Sequence, residues 1–361
     1  MTLGDPDTLT GGYLYHRRMA ELAPEHAAEL RFVSFPERPF PLPALSGGRV
    51  LRALRAQGPD VVVLDSIAAA FLAATPGRVR APMVAMLHQP PGGIDHGPLR
   101  RALQAPLDRA AYRGAVRLLV ASEPLADALA AQGFGDRVTV VPPGRDVARA
   151  AAGPPRDLRG GSRAALLCVG NWVARKGILD LLDAVARLPR GLVRLHLAGD
   201  EDAEPAYGAE VRRRLVRGDL DGRVVRHGRR PREEVAALYR DADVFVLPSV
   251  REPYGTVYGE AMAAGLPVVG WRAGNLPHLA RHGREGLLAD PGDLGGLAAA
   301  VATLADDEPL RLRLAAAARR RAEGFPTWEQ TANRFFTAVR AAATGPPSSG
   351  PPAARRMRRQ R

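Results

Sequence analysis

Cysteine and aromatic residues are scarce in this chain of 361 residues. Its single cysteine, Cys168, cannot form an internal disulfide and lies in an apolar run typical of a packed core. A reduced, cytoplasmic setting is therefore expected. Aromatic residues make up only 5% of the chain, and they are not interleaved with a basic patch, which argues against a nucleic-acid-binding protein.

Long apolar runs and metal-ligand patterns are also lacking. No stretch reaches the roughly 18 apolar residues of a membrane span, and no signal peptide opens the chain. The sequence has no repeats, no cluster of metal ligands and no Asp-x-Asp pair placed to hold a metal on a diphosphate. We expect a soluble protein, or one bound peripherally to the inner membrane face, that holds neither a metal nor a cofactor.

Lysine is almost absent, although the chain is strongly basic. Of 51 basic residues one, Lys176, is lysine, which leaves 50 arginines. The compact ammonium of Lys176 in a Gly-rich strand–helix turn suggests a contact with phosphate. The alternative is that this lysine has no special role and remains by chance in an arginine-rich chain. The net charge of +13 suggests polyanionic partners, but arginine is dispersed, and five of the surplus charges lie in the last seven residues.

Length and pattern predict an α/β protein of two domains. Short apolar strands alternate with helices along most of the chain. We place the first domain at residues 1–150 and the second at 151–324, followed by a helix over 325–343. Residues 344–361 are rich in Pro, Ser and Gly and then basic, so we expect a disordered tail, either solvated or touching anionic membrane.

The stretch 243–270 carries the clearest chemistry. A buried strand over 244–247 is followed by a loop with Glu252 and Gly255, and then by a helix that begins near Thr256. The unpaired N–H groups of such a helix start attract an anion, above all phosphate. Glu252 and Glu260, with seven residues between them, can accept hydrogen bonds from hydroxyls. A nucleotide-sugar fits both features, although two glutamates at this spacing also occur by chance.

The full string, with the Gly-Leu-Pro-Val-Val that follows, resembles the Glu-x7-Glu signature of the retaining glycosyltransferases of family 4, which include glycogen synthases and mannosyltransferases. The resemblance implies the GT-B architecture, in which two Rossmann-like domains face a cleft and the second domain holds most of the donor. It also implies that Glu252 binds the donor-sugar hydroxyls and Glu260 the ribose hydroxyls. The remaining donor contacts implied in this stretch are Tyr254, Gly255, Thr256 and Val257.

The loop after the first strand of the second domain departs from the family pattern. Family members show Gly-Arg and then Lys-Gly here and use both basic residues on the diphosphate. Lys176 matches the lysine, but Asn171 stands at the arginine position. One charge is therefore missing, and Arg175 is the candidate to replace it. Gly228 precedes a loop that the resemblance puts near the nucleotide base.

In the first domain, Gly11 and Gly12 open a helix in the manner of the glycine turn that follows the first strand of a Rossmann-like domain. No apolar strand precedes them, so we expect that the sequence lacks this strand through a misplaced start codon. His88 ends an apolar strand over 82–88, the position from which related enzymes contact the donor sugar. An ordinary turn and a surface histidine are the alternative interpretations of these two features.

The sequence therefore predicts a metal-independent glycosyltransferase that moves a sugar from a nucleoside-diphosphate sugar to an acceptor hydroxyl with retention of configuration. Lys176, Glu252 and His88 are the predicted catalytic residues. The acceptor, whether glycan, lipid or small molecule, stays open. The alternatives are a homologue that binds the donor without transferring it, and another GT-B enzyme such as a nucleotide-sugar epimerase.

Overall fold

The computed structural model describes residues 1–3, 11–36, 40–75, 78–145 and 153–344. The chain forms two compact units, Met1–Val141 with the segment that begins at Ala332, and Pro142–Thr331. The predicted basic tail lies outside the described residues from position 345 onward. Among the residues described, no helix is both long and apolar enough to cross a membrane.

The first unit is built from parallel strands connected by helices. Its strands are β1 (Thr2–Leu3), β2 (Ser34–Phe35), β3 (Val62–Asp65), β4 (Met83–Leu87), β5 (Arg117–Val120) and β6 (Val138–Val140). Its helices are α1 (Gly11–Leu22), α2 (Gly47–Gln57), α3 (Pro98–Arg113) and α4 (Glu123–Leu129). The strands pair in the order β3-β4-β5-β6, and β1 pairs with β2. Every residue of β4 is buried, as expected for a strand covered on both faces.

The expectation that no strand precedes the glycine turn is wrong. Thr2 and Leu3 form β1, which runs parallel to β2. The Asp65 N–H also donates to the Met1 carbonyl at 3.0 Å, so the chain start lies beside β3. A strand of two residues is too short to appear as an apolar run, which is why the sequence pattern missed it.

The second unit contains a six-stranded parallel sheet. Its strands are β7 (Ala164–Val169), β8 (Val193–Ala198), β9 (Val224–Gly228), β10 (Val244–Val246), β11 (Val268–Trp271) and β12 (Gly286–Ala289). Its helices are α5 (Ile178–Ala186), α6 (Pro205–Leu215), α7 (Arg232–Asp241), α8 (Thr256–Ala263), α9 (Leu276–Leu279), α10 (Leu294–Asp306) and α11 (Glu308–Glu323). The last helix, α12 (Trp328–Thr344), begins in the second unit and ends in the first.

The strand order in this sheet is β12-β11-β10-β7-β8-β9. Counted from β7, this is the order 3-2-1-4-5-6 of the Rossmann fold, with its reversal between β7 and β10. At such a reversal the loops after the two central strands separate and leave a crevice at the carboxyl edge of the sheet. The fold therefore marks the loops after β7 and β10 as the place to look for a ligand site.

Helix α8, which follows β10, is held at both ends. At its end the Gly265 N–H donates to the Met262 carbonyl and the Leu266 N–H to the Ala261 carbonyl, each at 2.9 Å. Gly265 has φ +83°, so this helix end is a Schellman motif, for which glycine is the usual residue. Near its start the Tyr258 hydroxyl donates to the Leu247 carbonyl at 2.6 Å. The start of α8 is thereby fixed against the end of β10.

Candidate functional site

The loops after β7 and β10 are fastened to one another. The Val250 N–H and the Ser249 hydroxyl both donate to the Arg175 carbonyl, at 2.9 Å and 3.0 Å. Gly177 has φ +68°, and a Cβ there would collide with the carbonyl oxygen of Pro248. Only glycine combines this left-handed backbone with so close an approach. The two loops are thus a single rigid support for the side chains between them.

Lys176 and Glu252 meet on this support. Lys176 Nζ lies 2.5 Å from Glu252 Oε2, and their side chains are only 10% and 13% exposed. Arg175 Nη1 lies 3.4 Å from the same oxygen, and the Ser249 hydroxyl lies 3.5 Å from it. Two cations therefore converge on one carboxylate in a largely desolvated place, where each charge acts more strongly than at the surface. The structure brings together three residues that the sequence analysis singled out separately.

The start of α8 lies a few residues past Glu252. Gly255, the residue before the helix, has φ +86°, and a Cβ there would come within 2.6 Å of the Tyr258 ring. Among the residues that the structure describes, no side chain caps this end of the helix. Its first amides remain available to an anion, and the helix dipole favours negative charge there. Thr256 and Val257, both predicted donor contacts, supply the first two of these amides.

Glu260 lies one turn further along α8. It accepts a hydrogen bond from the Tyr239 hydroxyl at 3.2 Å, and Arg232 Nη2 lies 3.8 Å from its other oxygen. Burial raises the pKa of Glu260, although Arg232 and the Tyr239 hydroxyl oppose the shift. A half-buried carboxylate with the Arg232 guanidinium nearby is suited to accept hydrogen bonds from neutral hydroxyl groups.

A small pocket adjoins Glu260. Its walls belong to the second unit: Gly144, Arg145, Tyr254, Thr256, Gly259, Glu260 and Phe325. The Tyr254 hydroxyl donates to the Pro143 carbonyl at 3.1 Å, and burial raises the pKa of Tyr254 to about 12. Tyr254 is thus held as a neutral wall residue with its hydroxyl already bonded.

The predicted contacts Asn171 and Gly228 lie toward the β8 side of the sheet. Asn171 Oδ1 accepts the Asp200 N–H at 3.1 Å, and the Gly228 carbonyl accepts the Gly199 N–H at 3.0 Å. Gly228 has φ +64°. Both residues therefore stabilise loops at the carboxyl ends of β7, β8 and β9. Asn171 uses its side-chain oxygen for this, so its role differs from that of an arginine.

His88, in the first unit, directly follows β4. Its Nε2 lies 3.3 Å from His16 Nε2, and its ring packs edge-on against Tyr15. Gly12, at the start of α1, lies so close that a Cβ would be 3.4 Å from His88 Cδ2. Gly11 begins the same helix. Burial and the neighbouring His16, opposed by Asp65, lower the pKa of His88 to about 4, so the imidazole is neutral at physiological pH.

His16 and Asp65 complete a cluster that the sequence analysis missed. His16 Nε2 lies 2.9 Å from Asp65 Oδ2, and both residues are buried. Burial alone would raise the pKa of Asp65, but His16, His88 and the Ile67 N–H outweigh it and hold that pKa well below its usual range. From the sequence we expected no cluster of metal ligands. The structure corrects this expectation, because one potential ligand atom from each of these three residues lies within 4.8 Å of the other two. The sequence feature that could have revealed this cluster is Asp65, a polar residue at the carboxyl end of strand β3, where ligands bind in parallel sheets.

Comparisons with known proteins agree with this architecture. A family model described as "Glycosyl transferase 4-like domain" matches residues 7–144, and one described as "Glycosyl transferases group 1" matches residues 163–307.

Curated relatives match over part of their length. A D-inositol 3-phosphate glycosyltransferase of Corynebacterium efficiens is 34% identical over 229 residues, 60% of this chain and 54% of that protein. A glycogen synthase of Mycobacterium tuberculosis is 36% identical over 213 residues, 58% of this chain and 49% of that protein. The chain thus spans about half the length of the curated relatives it matches.

Solved structures match over almost the whole chain. Anabaena HepE in complex with UDP and glucose superposes with a TM-score of 0.77 at 23% identity, covering 94% of this chain and 98% of that one. The sucrose-phosphate synthase of Thermosynechococcus elongatus gives a TM-score of 0.78 at 23% identity, with the same coverage. At this level of identity the likeness concerns the fold.

Proposed function

Because the chain belongs to family 4 of the glycosyltransferases and has their GT-B fold, we propose that it transfers a glycosyl group from a nucleoside-diphosphate sugar to an acceptor hydroxyl. The named relatives are glycosyltransferases, and one similar structure was solved with UDP and glucose, which supports this class of donor. The single observation that carries the proposal is the Lys176–Glu252 pair at the sheet reversal, beside the uncapped start of α8.

The first role belongs to the cations. As the glycosidic bond breaks, negative charge builds on the departing diphosphate. Lys176, Arg175 and the first amides of α8 would stabilise that charge from fixed positions, which costs no reorganisation during the reaction. We propose that these groups suffice without a divalent metal and without a cofactor. Arg175 then supplies the charge that Asn171 lacks.

The second role belongs to the two carboxylates. In the free protein Glu252 neutralises Lys176. A bound diphosphate would give the ammonium a second anionic partner and would free Glu252 to accept hydrogen bonds from the donor-sugar hydroxyls. Glu252 would also face the developing positive charge on the sugar. Glu260 would bind the ribose hydroxyls beside the pocket, in a place where its carboxylate keeps one cation nearby.

We further propose that the configuration at the anomeric carbon is retained. The acceptor would attack from the face that the diphosphate leaves, and the leaving phosphate would take the acceptor's proton. No covalent enzyme intermediate is then required. His88, neutral at physiological pH, would contact the donor sugar as a hydrogen-bonding group.

A second candidate is a homologue that binds the donor without transferring it. It is favoured by Asn171, which replaces a cation of the family pattern and engages Asp200 instead. Such a protein would keep the Lys176–Glu252 pair and the pocket but would stabilise the leaving group less well. Donor binding without transfer or slow donor hydrolysis would identify it.

Thermal unfolding with a panel of nucleoside diphosphates and their sugars identifies the donor, since a ligand that binds the native state raises Tm. Transfer from that donor to a panel of acceptors is then followed by NMR of the anomeric proton, with and without EDTA. We expect a retained anomer and activity that survives EDTA. Loss of donor-induced stabilisation in Lys176→Met, but not in Arg281→Met, would tie binding to this site. An inverted product, or no stabilisation by any donor, would overturn the proposal.

A further inference from the structure

Three side chains of the first unit point their ligand atoms at one place. His16 Nε2 lies 2.9 Å from Asp65 Oδ2 and 3.3 Å from His88 Nε2, and no pair among the three atoms exceeds 4.8 Å. The residues come from α1, from the end of β3 and from the residue after β4. Such convergence from three separate elements requires the tertiary fold and does not follow from sequence spacing.

Hydrogen bonding alone accounts poorly for this arrangement. A carboxylate only accepts hydrogen bonds, and each neutral imidazole nitrogen either donates or accepts. If His16 Nε2 carries the proton and donates it to Asp65, His88 Nε2 can only share that same N–H. If His88 Nε2 carries a proton instead, it donates that proton to His16 Nε2, and no proton lies between His16 Nε2 and the Asp65 carboxylate. With neutral imidazoles, one of the two contacts therefore lacks a proton of its own in either arrangement, and a shared cation would satisfy all three atoms.

We propose that His16, Asp65 and His88 form a binding site for a divalent transition metal of the Zn²⁺ class. Two imidazoles and one carboxylate are a ligand set that such ions accept, with further positions open to water. Metal–nitrogen bonds of about 2.0–2.1 Å put neighbouring ligand atoms about 2.9 Å apart in an octahedron and about 3.3 Å apart in a tetrahedron. The separations of 2.9 Å and 3.3 Å within the cluster lie in the range that neighbouring ligand atoms of one ion span.

The surroundings hold the ligands in place. Asp65 Oδ1 accepts the Ile67 N–H at 3.2 Å and lies 3.3 Å from the Ser66 hydroxyl, while the Thr2 hydroxyl donates to Oδ2 at 3.0 Å. The His88 N–H donates to Ser66 in turn. Partners of this kind orient metal ligands and raise metal affinity. His88 is partly exposed, so an ion has a way in.

The site has a consequence for catalysis that rests on the proposed function. A metal bound to His88 Nε2 would remove that atom from its contact with the donor sugar. The ion would therefore inhibit glycosyl transfer, and a chelator would restore it. Metal binding itself does not depend on the protein being a transferase, so the two proposals can fail separately.

Metal titration of the tag-free, full-length protein, stripped beforehand with a chelator, tests the site. We expect calorimetry to give one Zn²⁺ per chain, and Co²⁺ to give a visible d–d absorption band that Zn²⁺ abolishes. His16→Gln and Asp65→Asn should each weaken binding at least about tenfold, which is the smallest loss found for partners of metal ligands. His96→Gln, in the same unit but outside the cluster, should leave both signals unchanged.

Far-UV circular dichroism checks that each variant folds. X-ray absorption at the zinc edge of the wild-type complex provides a measurement that needs no variant, and two imidazole scatterers are expected there. No binding near one equivalent, a zinc spectrum without imidazoles, or folded His16→Gln and Asp65→Asn variants with wild-type affinity would overturn the metal site. The cluster would then be a hydrogen-bonded network that positions His88.

Discussion

The Lys176–Glu252 pair allows the structural and chemical contributions of one interaction to be separated. Lys176→Met keeps most of the apolar stem of the side chain and removes the ammonium that lies 2.5 Å from Glu252 Oε2. Because the pair is nearly nine-tenths buried, the carboxylate cannot regain full hydration. The variant therefore leaves a charged group with too little compensation inside the loops after β7 and β10.

The size of the stability loss depends on the partners that Glu252 keeps in the variant. Removing one partner of a buried ion pair costs about 3–5 kcal/mol, and the Arg175 guanidinium and the Ser249 hydroxyl, at 3.4 Å and 3.5 Å, offset part of that cost. We expect the free energy of unfolding to fall by about 2 kcal/mol. In a unit of this size that lowers Tm by about 4–8 °C. Adding Glu252→Gln removes the stranded charge and should restore most of the lost stability.

Turnover should behave differently from stability. Both the single and the double variant lack the cation that we propose stabilises the leaving diphosphate, so kcat should stay about 100-fold or more below that of the wild type. Urea unfolding and a transfer assay with the stabilising donor measure the two quantities. Arg281→Met, which breaks the ion pair with Glu285 elsewhere in the second unit, is the matched control and should lower stability without lowering kcat. Recovery of turnover together with stability in the double variant would refute the catalytic role.

Further predictions concern single residues of both units. Glu260→Gln should weaken nucleoside-diphosphate binding about tenfold by calorimetry, as expected for a lost hydrogen bond to a charged group. Because burial raises the pKa of Glu260, wild-type affinity should fall as pH decreases through that raised pKa, and the variant should lose this dependence; equal pH profiles would contradict the role. Burial also raises the pKa of Asp108 to about 6. The native state therefore holds the extra proton between about pH 4 and 6, and stability should fall by up to about 3 kcal/mol as pH rises through that window. Asp108→Asn should abolish this fall in urea unfolding, and an unchanged slope would exclude Asp108 as its source. Gly177→Ala should lower the free energy of unfolding by more than about 2 kcal/mol, because backbone strain and the collision with Pro248 add. Gly222→Ala, at a similar φ but in open space, should lower it by only about 1 kcal/mol. Equal losses in the two variants would show that the collision relaxes.

Local chemistry made much of the second unit predictable. The apolar runs of β7 and β10, the uncapped helix start after Gly255 and the glycine stop of α8 are all encoded within a few residues. Lys176 was conspicuous by composition alone, and Glu252 by its distance from Glu260. Side-chain type and chain spacing are properties of the sequence, so these inferences needed no knowledge of distant contacts.

Other features depended on residues that are far apart in the chain. That Lys176 Nζ bonds Glu252, 76 residues later, is decided by the pairing of β7 with β10 and by the turn that Gly177 allows. In the first unit, β1 was too short to leave a pattern, because two residues cannot display a period.

The amino-acid sequence by itself indicated the fold class through its order of apolar and polar groups, and its motifs indicated the family and the candidate site residues. The tertiary structure alone decided which of those residues touch. It paired a solitary ammonium with a carboxylate, and it gathered His16, Asp65 and His88 from three elements into one cluster. Contact requires strand order and helix placement, and no local run of residues contains that information.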